Sequence, residues 1–294
     1  NSIEHPIDLL ENAIKIIGEE DGKFDNEDYI LFYAEGIENW NSESNTNLNL
    51  YDTKSYYYIT TSGSNGKRIQ EYNQPQGNST LQISTFDDYQ FHEQDLVNIS
   101  RLGRQWFGES FDFNSDQEFT FNFPNINSSV PLKIRATFAA AAFTPTSFTV
   151  NTNGQNTASI NIGAITANSG INFNTASLPS NTTATGSEAT KIKISYNNNG
   201  VPGSKGYLDY ISVIAKRKLQ GYGKQFRFQY DLAGSSSGIA QYTINNAAGI
   251  AEVWDITNLA DLTKIENNKQ DSFSFKSELG AIKKYIAIDP LDYY

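Results

Sequence analysis

Apolar and polar residues alternate with a period of two over much of this chain. The pattern is plain in Glu118-Phe-Thr-Phe-Asn-Phe123, Leu132-Lys-Ile-Arg-Ala-Thr-Phe138, Lys191-Ile-Lys-Ile-Ser-Tyr196, Gln225-Phe-Arg-Phe-Gln-Tyr230 and Ser272-Phe-Ser-Phe275. Such alternation turns one face of a strand to a core and the other to water, so it predicts antiparallel sheet. Between these runs lie Asn151-Thr-Asn-Gly154, Asn197-Asn-Asn-Gly-Val-Pro-Gly203 and Gly234-Ser-Ser-Ser-Gly238, whose Gly and Asn residues accept positive φ and read as turns. Helical spacing is confined to Pro6 to Ile17, through Leu10, Ala13, Ile14 and Ile17. Ala13 to Ile17 reads equally as a buried strand, which leaves the helix only the first part of that stretch.

The predicted class is therefore all-β: an N-terminal β-rich domain followed by an antiparallel β-sandwich, with very little helix. A change in texture near Leu102 to Trp106 sets the expected boundary, because the chain before it is acidic, Tyr-rich and irregular and the chain after it is regular. That gives residues 1–104 and 105–294. No repeat of solenoid or propeller type is visible.

Composition narrows the chemistry. The chain has 294 residues, enough for a sizeable core, and no Cys, which removes disulfides, thiolate ligands and thiol nucleophiles together. A net charge of -11 with scattered Lys and Arg opposes binding to phosphate backbones and anionic lipid. No apolar run approaches the roughly 18 residues that span a bilayer as a helix. The absence of Met, even at position 1, leads us to expect a segment of a longer precursor.

Each candidate for chemistry has a plainer reading beside it. Gly234-Ser-Ser-Ser-Gly238 spells a nucleophile elbow, but that fold needs a His after the Ser and the two histidines, His5 and His92, precede it. A hairpin loop is the expectation. His92-Glu-Gln-Asp95 starts like a zincin helix, yet Leu96 stands where the second His belongs, so a loop His bonded to a neighbouring carboxylate is expected. Asp87, Asp88, Glu93, Asp95, Glu109 and Asp112 are available for paired-acid hydrolysis, with scattered surface acids as the simpler account. Tyr56-Tyr-Tyr58, Trp40, Trp106 and Trp254 could stack on a sugar or a partner, or serve as core and cross-strand residues.

The densest charge lies in Glu19 to Asp28, where six acids meet a single Lys23 before the apolar run Tyr29-Ile-Leu-Phe-Tyr33. Asp21, Gly22, Asp25 and Asp28 match positions five, six, nine and twelve of a calcium loop, while Ile17 occupies position one. Two readings stand: calcium at Asp21, Asp25 and Asp28, or a tight hydrogen-bonded turn.

The same stretch, from Asp21 to Gly36, with Tyr57-Tyr-Ile59 and Gly66-Lys-Arg-Ile69 after it, resembles the region upstream of the catalytic domain in PorU-like sortases of type IX secretion, which are gingipain-related cysteine peptidases. His92 to Asn98, Gly103 to Glu109, Phe121-Asn-Phe-Pro124, Leu208-Asp-Tyr-Ile211 and Val253-Trp-Asp-Ile-Thr257 follow in the family's order, so the resemblance covers nearly the whole chain. It implies a cell-surface, outer-membrane-associated protein of Bacteroidetes that removes C-terminal sorting domains from exported cargo and joins the cargo to a lipopolysaccharide-type anchor. It further implies an outer-membrane barrel partner, PorV, and a caspase-like peptidase domain after Lys283 to Asp289. With no Cys, no catalytic residue of the family falls on this sequence, and the expectation is a non-catalytic β-region. The alternative from another class is a carbohydrate-binding or adhesion sandwich.

Overall fold

The computed structural model describes residues 9–39, 46–49, 51–61, 63, 65–101, 103, 105–167 and 170–293. His5, Trp40, Leu102 and the start of the expected helix at Pro6 lie outside them. The described chain is all-β, broken only by short 3-10 turns, and it forms two compact units. The strands in chain order begin with β1 (Ile14–Ile17), β2 (Tyr29–Phe32), β3 (Gln70–Glu71), β4 (Leu81–Ile83) and β5 (Thr85–Glu93). Next come β6 (Ser110–Phe111), β7 (Asp116–Asn122), β8 (Leu132–Ala141), β9 (Thr146–Thr152) and β10 (Gln155–Ile162). After these run β11 (Asn174–Ser177), β12 (Thr183–Ala184), β13 (Ala189–Asn197), β14 (Lys205–Lys218) and β15 (Phe226–Gln229). The last are β16 (Ile239–Ile244), β17 (Glu252–Asp255), β18 (Thr263–Glu266), β19 (Phe273–Glu278) and β20 (Lys284–Ile288).

The first unit combines residues 1–36, 54–86 and 219–294; the second combines 37–53 and 87–218. The division expected at 104/105 thus falls inside the second unit, and the C-terminal strands join the N-terminal ones. The cause is strand pairing across long stretches of sequence. β18 takes β3 as a parallel neighbour, Thr263 opposite Gln70, and β16 takes β4, Ala240 opposite Leu81. Parallel partners need a crossover and leave no hairpin signature between them.

In the first unit a five-stranded sheet, β15-β20-β17-β18-β3, and a three-stranded sheet, β19-β16-β4, share an aromatic core. Tyr242 stacks on Phe275 at 5.1 Å and Phe228 on Tyr285 at 5.2 Å, while the Tyr285 hydroxyl donates to Ser277 Oγ at 2.8 Å. Ile14 to Ile17 forms a strand of the β1–β2 hairpin, and residues 9–13 have no regular secondary structure, so the described part of the expected helix is not helical. Only Leu31 and Tyr33 of the aromatic run pack inward, against Trp254, Ile256 and their neighbours; Tyr29, Ile30 and Phe32 are exposed.

The second unit is a sandwich. One sheet runs β10-β9-β13-β7 and the other β11-β8-β14-β5, with β12 added to β8 and β6 to β14. Between them Phe138 stacks on Phe148 at 4.5 Å, and Tyr196 lies 4.8 Å from the same ring. Gly206 on β14 leaves room for this cluster, since a Cβ there would fall 2.6 Å from Phe148 Cζ and 2.7 Å from Tyr196 Cδ2.

Candidate functional site

The chemistry-bearing residues of the second unit gather where β5 borders β14. Thr46 and Asn47 are tied to β5 through Glu93, whose buried carboxylate accepts from the Thr46 hydroxyl at 2.5 Å, the Asn47 amide N–H at 2.7 Å and Asn47 Nδ2 at 2.9 Å. Tyr89 adds a bond from its hydroxyl to Asn47 Oδ1 at 2.7 Å. Three donors on one buried carboxylate offset its desolvation, so Glu93 acts as a clasp for the incoming segment. An open groove of about 440 Å³ runs beside it, lined by Glu38, Leu48, Tyr89, Phe91, His92 and Glu93.

His92 lies on strand β5 rather than in a loop, and its Nε2 meets Glu109 Oε1 at 2.6 Å. Burial raises the Glu109 carboxyl, but the His92 bond and its own backbone amide outweigh that and hold it below the usual range. The ring also lies 4.6 Å from Phe119. The expected carboxylate partner is present, and the fold brings it from 17 residues away.

Most of the acids considered for hydrolysis are engaged in ion pairs. Asp87 pairs with Lys216 at 2.5 Å, Asp88 with the buried Arg217 at 2.9 Å, and Asp112 with Lys205 at 3.2 Å. Arg217 is held further by Pro124, whose carbonyl accepts from Nε at 2.6 Å. These contacts fix strand register and leave those carboxylates committed to structure.

Among the described residues, one outside that set carries the most perturbed carboxyl. Asp209 lies in β14 where the pairing slips, Leu208 facing Phe138 and Tyr210 facing Thr137, so it occupies the extra position of a β-bulge. Burial, then the charges of Glu93 and the exposed Asp95, push its pKa up to about 7. Such a carboxyl exchanges a proton near neutrality. The signal in the sequence was one acid within Tyr207-Leu-Asp-Tyr-Ile211, an apolar run that otherwise reads as core.

The acidic turn of the first unit is built from its own backbone amides. Asp21 Oδ1 accepts from the Lys23 N–H at 2.9 Å, Asp28 Oδ2 from the Asp25 N–H at 2.8 Å, and Asp25 Oδ1 from the Glu27 N–H at 3.2 Å. Gly18 sits at φ 92°, and a Cβ there would lie 1.7 Å from Asp28 Oδ1, so both conformation and space require glycine. Glu19 reaches Arg68 at 2.8 Å, which relieves part of the crowding. Among the described residues no three Asp, Glu or His side chains are grouped to hold a metal, and Asp21, Asp25 and Asp28 do not converge as ligands.

Gly234 to Gly238 follows the same structural logic. Ser235 and Ser236 both donate to the Leu232 carbonyl, at 3.1 and 2.8 Å, in a 3-10 turn (Asp231–Ser235) that leads to strand β16. No helix follows, so the elbow geometry is absent there. Trp254 is buried and donates Nε1–H to Glu252 at 2.8 Å, which makes it a core residue. Tyr56, Tyr57 and Tyr58 are all exposed in an irregular stretch, without the alternation a strand would impose. Tyr57 is nevertheless anchored, accepting from the Glu35 N–H at 2.8 Å and resting on Phe32 at 5.3 Å.

No family model matches the chain, and no curated protein does. Among solved structures, dimeric latent PorU from Porphyromonas gingivalis is similar over 76% of this chain, with a TM-score of 0.65 and 18% identity. The chain covers 22% of that structure's chain, so the similarity concerns the β fold of one region. A carbohydrate-binding module, CBM36 in complex with calcium and xylotriose, aligns over 40% of this chain at 14% identity with a TM-score of 0.27, covering 97% of the module. The galactotriose complex of TmCBM61 aligns over 46% at 12% identity with a TM-score of 0.25, covering 86% of that chain. At those scores neither module bears on the fold, whereas the region of latent PorU shares it.

Proposed function

We propose that this chain is a non-catalytic β-region of a PorU-like type IX secretion sortase, acting at the cell surface beside a peptidase domain of the same protein. The observation that carries the reading is the shared β fold with latent PorU over three quarters of the chain. The absence of Cys supports a non-catalytic role, because a cysteine peptidase cannot place its nucleophile here. In this reading the two units hold the peptidase in position and meet the outer-membrane barrel PorV or cargo bearing a C-terminal sorting domain. Their ion-paired and hydrogen-bonded acids are what a scaffold requires.

Purified chain, presented to detergent-solubilised PorV and separately to a C-terminal sorting domain, tests the reading by co-elution. Saturable binding to either is the expected result. Binding to neither, together with glycan-array signals that disappear when Tyr56 and Tyr58 become Ala, would replace it with a carbohydrate-binding role.

A further inference from the structure

The first unit leaves one strand edge open. The Ile14 N–H donates to the Lys67 carbonyl at 2.8 Å and the Ile14 carbonyl accepts from the Ile69 N–H at 2.9 Å, so Ile14 turns both backbone groups away from β2. Direction alternates along an antiparallel ladder, which makes Lys15–Leu31 and Ile17–Tyr29 the hydrogen-bonded pairs of the hairpin. Ile30 and Phe32 therefore aim their N–H and C=O groups at the outer edge of β2, where no described residue supplies a backbone partner.

The same register gathers apolar side chains onto one face. Opposite residues of an antiparallel pair point the same way, so Ile14, Ile16, Ile30 and Phe32 form a contiguous block on the outer face of the hairpin. Tyr57 extends it, its ring 5.3 Å from that of Phe32. On the inner face Leu31 packs into the unit and Lys15 pairs with Glu252 at 2.5 Å. Tyr29-Ile-Leu-Phe32 contains no Lys, Pro or bulge, the devices that close an exposed edge to pairing.

Charge is uneven along this edge. Beside Tyr29 lies the turn Glu19 to Asp28, where Arg68 takes up Glu19 at 2.8 Å and Lys23 is the one cation left among Glu20, Asp21, Asp25, Glu27 and Asp28. The other cations around it are engaged, Lys67 with Asp261 at 3.0 Å and, next to Tyr293, Lys224 with Asp292 at 2.9 Å. At the Phe32 end, charge balances. There Glu11, which accepts from the Lys67 N–H, and Glu35, whose carbonyl accepts from Ser55 Oγ, stand against Lys54 and the Arg227 beside Tyr33.

We propose that β2 is extended at this edge by an antiparallel strand from a partner protein, whose apolar side chains pack against Ile30 and Phe32 and whose Lys or Arg residues lie beside the acidic turn. Strand addition satisfies unpaired backbone groups and an apolar face together. The uneven charge sets the direction: the turn precedes Tyr29, so the basic residues belong at the C-terminal end of the added strand. A second copy of β2 fits poorly, because it would bring Tyr33-Ala-Glu35, with an acid and no cation, to that place. The proposal is independent of the sortase reading.

A synthetic peptide, acetyl-Thr-Val-Thr-Val-Thr-Val-Lys-Lys-amide, titrated into the full chain tests it. At saturation, amide hydrogen exchange at Ile30 and Phe32 should slow about tenfold, and a counterpart ending in Glu-Glu should bind about tenfold more weakly at low salt. Ile30→Pro removes an outward N–H and leaves the β1 ladder its hydrogen bonds, so it should abolish binding while the chain still melts cooperatively. The exchange measurement uses the unaltered chain and does not depend on how that variant folds. Unchanged exchange at Ile30 and Phe32, equal binding of the Glu-Glu peptide, or full binding by Ile30→Pro would overturn the proposal. So would self-association of the chain that Ile30→Pro abolishes, since a second copy would then occupy the edge.

Discussion

Asp209 ties local geometry to a measurable property of the second unit. Its folded pKa of about 7 exceeds the ordinary 3.8, so folding favours the protonated form. Stability linked to this group is fully present below about pH 4, declines as pH rises through 7, and is lowest above that. Asp209→Asn, which keeps the shape and removes the charge, should therefore stabilise the protein at pH 8.5 by on the order of 2–4 kcal/mol and have little effect at pH 4. Thermal melts across that range decide it. An equal gain at both ends would mean that the carboxyl charge is not the cause. The residue escaped a reading of the sequence because its environment is assembled by a bulge and by Glu93 and Asp95 at the end of β5, neither of which has a local signature.

At the scale of elements, alternation revealed β7, β8, β13, β15 and β19, each of which turns one face to a core. It failed for β14, which is buried along most of its length. Phe107, Ala139 and Tyr207 form a small cluster separate from the inter-sheet core, so the two faces of this strand are both covered and polar residues do not recur at every second place. The clasp on Glu93 was equally hidden, because Thr46 and Asn47 are ordinary loop residues until the fold brings them to β5. Gly206 has a more direct role in β14. Gly206→Ala should cost about 1–3 kcal/mol by driving a methyl into Phe148 and Tyr196. Adding Phe148→Leu should recover part of that loss in denaturant titrations. Simple additivity of the two substitutions would argue against a shared space.

For the whole molecule, class was legible and partition was not. Strand periods and turn clusters suffice to specify an all-β chain, whereas the division into units depends on which distant strands meet. The first unit is discontinuous: β3 and β4 find their partners in β18 and β16, after the 87–218 stretch has intervened. Texture along the sequence marked 104/105 because the irregular acidic segment ends there. The chain passes between units instead at 36/37, 53/54, 86/87 and 218/219, the last two within or directly after regular strands.

That discontinuity imposes an order on synthesis. As the chain leaves the ribosome, the sandwich of the second unit has all its strands once residue 218 has emerged, but β3 and β4 must wait for partners that have not yet emerged. Loop closure over such distances is slow, and unpaired strand edges invite misassociation in the meantime. Nascent chains stalled when residue 218 has cleared the exit tunnel should resist protease across 87–218 while 54–86 are still cut. Protection that appears in both stretches together, only once residues 219–294 have also emerged, would show that they fold as one step. Residues 219–294 would thus serve as a timer, holding β3 and β4 unfinished until their partner strands emerge.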